Sequence, residues 1–110
     1  MATTTYKVLG QSNPSATTAT TLYTVPSATQ TVLSTLVVAN TAASAATYRI
    51  AVRVAGASLA TNQYIAYDVA IAANDSTALT LGISLGATDV ITVYASTANL
   101  VFTAFGSEIA

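Results

Sequence analysis

The chain of 110 residues has no cysteine, no histidine and no tryptophan, and the first two absences each close a class of chemistry. Without cysteine there is no disulfide, no thiolate nucleophile and no cysteine-ligated zinc or iron–sulfur centre, while the redox compartment stays open. Without histidine there is no imidazole to act as general base near neutral pH, no Ser-His-Asp triad, and no usual ligand for catalytic zinc. Charge is nearly as scarce. Charged residues make up 6% of the chain, against about 25% in ordinary soluble domains. The only basic residues, Lys7, Arg49 and Arg53, are too few to neutralise the phosphates that nucleic-acid affinity requires, so no nucleic-acid partner is expected. No apolar run approaches the roughly 20 residues of a membrane-spanning helix, and no membrane association is expected either. The first nine residues carry one lysine and no apolar stretch before a small-residue cleavage site, which predicts cytoplasmic synthesis without a secretory signal.

What is present is a hydrophobic fraction of 53%, much of it alanine, with Leu, Ile, Val and six tyrosines left to build the core. At this length a single domain over residues 1–110 is expected. Period-two alternation dominates after Leu22, and no useful length holds apolar residues at helical spacing. In Thr47–Val54 the set Tyr48, Ile50, Val52 and Val54 alternates with Thr47, Arg49, Ala51 and Arg53, and the first set is assigned to the core. In Tyr64–Ile71 the bulky set is Ile65, Tyr67, Val69 and Ile71, and in Thr77–Leu85 it is Leu79, Leu81, Ile83 and Leu85. Thr31–Asn40 and Asp89–Ala95 are apolar on both faces and suit central strands. Tyr6–Leu9, Thr21–Val25 and Leu100–Phe105, the last ending near Gly106, complete about eight strands.

Connectors such as Pro26-Ser27, Asn40-Thr41, Gly56-Ala57, Asn74-Asp75 and Gly86-Ala87 punctuate this pattern at sandwich spacing. The predicted fold is therefore an all-β, single-domain antiparallel β-sandwich, jelly-roll or immunoglobulin-like. Residues 1–20, with the polar stretch Gly10–Ala19, are assigned to an extended N-terminal arm or long loop.

The acidic residues Asp68, Asp75, Asp89 and Glu108 are widely spaced, form no local acid–base pair, and suit turns and strand edges. Asn74-Asp75-Ser76 is read as a turn rather than a glycosylation site, and Asp75 with Asp89 falls short of the oxygen set that calcium needs. No catalysis, metal or cofactor is expected. Arg49 and Arg53 share an outward strand face, across a predicted hairpin from Asp68, which makes an ion pair plausible as a register-fixing patch or as a solvated pair of little energetic value. Tyr23, Tyr64, Tyr67 and Tyr94 are assigned to the edges of the core in preference to sugar-stacking platforms.

Leu22-Tyr23-Thr24-Val25-Pro26, the strand Val32–Asn40, the segment Tyr64–Ile71, and Leu85–Tyr94 with the closing Phe105-Gly106-Ser107-Glu108-Ile109 together resemble small β-sandwich virion proteins of tailed bacteriophages. The resemblance implies a structural protein of the virion: a capsid decoration or cement protein, or a component of the tail, baseplate or fibre that binds neighbouring proteins or a host glycan. It implies the major capsid protein or other virion proteins as partners, and a homo-oligomer, with a trimer suited to a threefold position of a shell. Tyr6, Lys7, Arg49, Arg53 and Asp68 are the candidate interface residues, with Tyr6–Leu9 or the polar stretch after it pairing with a neighbour's sheet edge. A surface of Thr, Ser, Ala and Asn at a formal charge of −1 agrees with burial against other subunits.

Overall fold

The alternating segments form strands, one of them in two pieces, in a computed structural model that describes residues 3–110. In chain order these are β1 (Thr4–Ser12), β2 (Thr20–Thr24), β3 (Gln30–Asn40), β4 (Ala46–Arg53), β5 (Tyr64–Ile71), β6 (Ser76–Leu79), β7 (Ile83–Leu85), β8 (Val90–Ala95) and β9 (Leu100–Ile109). Every pairing is antiparallel. One sheet runs β1-β9-β3, with β6 and β7 both on the far edge of β3, and the other runs β2-β8-β4-β5. The chain thus behaves as one long hairpin: β1 meets β9, β2 meets β8, β3 meets β6 and β7, and β4 meets β5. Rolling that hairpin adds the β3–β9 and β4–β8 contacts and closes two sheets over one core. With β6 and β7 counted as one interrupted strand, this is the jelly-roll order and not the immunoglobulin one.

The two segments expected at sheet centres lie there: β3 sits between β9 and β6/β7, and β8 between β2 and β4. Their buried residues Leu33, Leu36, Val38, Ile91 and Val93 form one core with Ile50 of β4 and Phe102 of β9. Each such side chain contributes about 1.5–3 kcal/mol by leaving water. Tyr48 of β4 and Phe102 of β9 meet edge to face, with ring centres 6.3 Å apart, and join the two sheets at the centre.

Several strand assignments shift. β9 continues past Gly106 to Ile109 and is a central strand. Gly106 does not end it; a Cβ there would collide with the Val32 carbonyl oxygen, so glycine lets β9 pass the bulge in β3 between Leu33 and Thr35. The single strand expected over Thr77–Leu85 is broken at Gly82, whose φ of +62° turns the chain, and Leu81 is left exposed. Val54, assigned to the core face, lies in a tight turn after β4 and is 67% exposed. The assignment of residues 1–20 divides: Thr4–Ser12 pairs with β9 as an edge strand, and residues 13–19 link it to β2. Met1 and Ala2 fall outside the described residues.

Candidate interaction surfaces

Arg49 lies on the outer face of β4, in register with Tyr94 of β8. Its Nε donates to Asp68 Oδ1 at 2.6 Å and Nη2 to Oδ2 at 3.2 Å, the two-pronged geometry that guanidinium and carboxylate favour. The guanidinium also lies over two rings, 4.1 Å from the centre of Tyr67 and 4.3 Å from that of Tyr94. The carboxylate of Asp68, above all, holds the guanidinium protonated beyond its ordinary range.

A bulge in β5 makes this cluster possible. Tyr48 faces Val69 and Ile50 faces Ala66, so two residues of β4 span three of β5, and Asp68 takes up the extra residue at φ 51°. Aspartate tolerates this left-handed conformation better than most residues. The slip changes which face each side chain meets. Ile65 and Tyr67, on the bulky face by alternation, are exposed at 48% and 55%, while Ala66 packs inward and Ile71 stays buried. Tyr64 and Tyr67 meet edge to face at 4.9 Å, so the aromatic cluster extends along the β5 edge.

Arg53 shares the outer face with Arg49 but joins neither Asp68 nor the tyrosines. Its Nε and Nη2 donate to the carbonyls of Ala57 and Gly56, at 2.7 and 3.1 Å, and so close the turn that follows β4. Asp89 holds the opposite side of that turn by accepting from the Ala55 amide, and its other oxygen accepts from Gly86. Asp75 accepts from the Ser76 amide within the turn between β5 and β6, as Asn74-Asp75-Ser76 was read. No group of three or more metal-ligating side chains occurs among the described residues.

Lys7 and Tyr6 belong to the opposite sheet. Lys7 points to the inner side of β1, beside Gly106, and its ammonium donates to Glu108 Oε1 at 3.0 Å. Tyr23 of the facing sheet donates its hydroxyl to Glu108 Oε2, and shares a 2.8 Å hydrogen bond with the buried Thr31. Burial pushes the Tyr23 phenol up to about 12, and its hydrogen bond to Glu108 adds to the effect. The same bond, with Lys7, draws the Glu108 carboxyl below its ordinary value. Tyr6 faces outward and is 83% exposed. It lines a shallow apolar hollow with Val8, Val32 and Phe105, over Gly106 and Ser107.

Of the five residues proposed from the sequence, Arg49 and Asp68 come together, Tyr6 and Lys7 sit side by side on β1 but point to opposite faces, and Arg53 stands apart. Sequence reasoning missed Tyr67 and Tyr94 as partners of Arg49, Glu108 as the partner of Lys7, and Tyr23 as the second partner of Glu108. It also passed over Val8, Val32 and Phe105. Even-numbered Tyr6 and Val8 on one short strand were the available signal for that surface. Comparisons with protein-family models, with curated proteins and with solved structures found no match to this chain.

Proposed function

We propose that this chain is a structural protein of a tailed-bacteriophage virion, a capsid decoration or cement protein that binds the shell and stabilises it. The observation that carries this reading is the outer surface. Apolar side chains lie open on both sheets, with Tyr6, Val8, Val32 and Phe105 on one and Ile65 and Tyr67 on the other. The basic side chains are meanwhile engaged within the chain by Glu108, Asp68 and the carbonyls of the turn at 56–57. Contiguous apolar patches bordered by neutral polar residues are what an interface between proteins requires. The jelly roll suits such a role, since it recurs in capsid proteins, although it also serves lectins and enzymes. On this reading the protein acts by binding and not by catalysis, its partners are the major capsid protein or other virion proteins, and its location is the virion. Many symmetry-related copies then add modest contacts into a large total.

The second reading is a tail, baseplate or fibre component that contacts a host glycan through the outward tyrosines. The exposed Tyr67 beside Tyr64 favours it, but one face of the Tyr67 ring is already taken by Arg49. Quantitative mass spectrometry of purified particles carrying the chain distinguishes the two. A copy number that scales with the shell subunits is expected; a handful per particle assigns the protein to the tail, and its absence from particles overturns both.

A further inference from the structure

Four strand edges border the two sheets, and three of them are disrupted. β5 carries the Asp68 bulge and a second irregularity near Tyr64, β6 and β7 are short and separated at Gly82, and β2 has only five residues with a register shift between Thr21 and Tyr23. Such features are how proteins keep edges from pairing with other chains. β1 differs. It has nine residues, and its one register shift comes after Val8, so Thr4–Val8 is a regular, exposed edge.

The hydrogen-bonding phase of this edge can be worked out. Thr3 and Ala110 exchange both amide–carbonyl bonds, at 2.6 and 3.0 Å. In an antiparallel pair, bonded and non-bonded residue pairs alternate. With Thr4 opposite Ile109 and Tyr6 opposite Ser107, the residues bonded to β9 are therefore Thr5 and Lys7. Thr4, Tyr6 and Val8 direct their N–H and C=O groups away from β9.

We propose that two copies of this chain associate through β1, antiparallel about a two-fold axis at Tyr6, so that their β1-β9-β3 sheets join into one. In this register Tyr6 exchanges both backbone bonds with Tyr6 of the second copy, and Thr4 does so with Val8. The segment is complementary to itself, as a two-fold interface must be. Lys7 carries the only charge on the strand and is already matched by Glu108, so the edges meet without net charge. The side chains of Tyr6 and Val8 share the outer face, and pairing makes the hollows under Tyr6, Val8, Val32 and Phe105 of the two copies continuous. The inference depends on the β1 edge alone and stands apart from the virion reading, whose test is made on particles.

Sedimentation of the purified chain tests it. The expected mass rises with concentration from 11.1 kDa toward twice that value. Of the β1 backbone groups Tyr6→Pro removes only an N–H that faces away from β9, a position where an edge strand accepts proline, and it also takes away the exposed ring; it should keep the circular dichroism spectrum and remain a monomer. Because the chain has no cysteine, Tyr6→Cys introduces a lone thiol. Facing Cα atoms in such a pair lie about 5.5 Å apart, within disulfide range, so mild oxidation should trap a covalent dimer, while Thr61→Cys in an exposed turn should not. If Tyr6→Pro unfolds the chain, the cysteine variants decide. A monomer at every concentration, a dimer that survives in folded Tyr6→Pro, or a dimer that forms no disulfide through Tyr6→Cys overturns the proposal.

Discussion

Tyr23→Phe removes one hydroxyl and leaves the buried ring in place, which makes it a direct probe of the bond network joining the two sheets. Near neutral pH the change takes a partner from the buried Thr31 hydroxyl and another from Glu108. Loss of one partner from buried hydrogen-bonding groups costs about 1–3 kcal/mol. Alkaline pH should reverse the comparison. In the unfolded chain the Tyr23 phenol ionises near pH 10, whereas in the fold it stays neutral up to about 12. A group whose folded pKa is raised contributes its stability fully below the unfolded value and loses it as pH climbs through the folded one. At about 1.4 kcal/mol per pH unit, the native protein should lose about 3 kcal/mol between pH 10 and pH 12 through this residue. The phenylalanine variant has no such loss. Tyr48, whose phenol is also raised by burial, weakens both proteins alike. Guanidinium unfolding followed by circular dichroism, repeated from neutral pH to pH 12, reads the gap between the two. The gap should shrink steadily above pH 10 and approach zero or change sign; a gap that stays constant across that range refutes the assigned role of the Tyr23 hydroxyl.

On the acid side, Glu108 has its carboxyl pulled below 4.5, first by the Tyr23 hydroxyl and then by Lys7. Its contribution is therefore present above that value and lost as pH falls through the lower folded one, and Glu108→Gln should flatten this part of the acid limb of a stability–pH profile. Gly106→Ala should prevent folding or lower the unfolding midpoint severely, because the added methyl meets the Val32 carbonyl and the Leu33 Cα in the middle of a sheet. Gly86→Ala meets only the Asp89 carboxylate at ordinary contact distance, and should leave the midpoint within about 0.5 kcal/mol of the native protein.

Alternation along each strand and the spacing of the turns were enough to establish an all-β sandwich and to place β3 and β8 at sheet centres, because side-chain period and burial on both faces are local properties. The Arg49–Asp68 pair was legible for the same reason: it needs only a hairpin and the pleat. The alternating phase is lost at bulges, and the errors at Val54 and Leu81 fall where a turn ends a strand. Leu33 and Leu36 both face inward because Ser34 slips the register, and Tyr67 joins Asp68 on the outer face because Asp68 absorbs an extra residue. Nothing in the residue types at Ser34 or Asp68 announces a slip, since it is the partner strand that determines it. The jelly-roll order, the meeting of Lys7, Tyr23 and Glu108, and the fit of Gly106 beneath β3 all join residues far apart in the chain. Sequence alone determined which residues alternate and how little charge was available to cover them. Only the rolled hairpin decided which strands became neighbours, that Glu108 neutralises Lys7, and which edge was left open, because those outcomes depend on pairing between strands far apart in the chain and not on the pattern within any one of them.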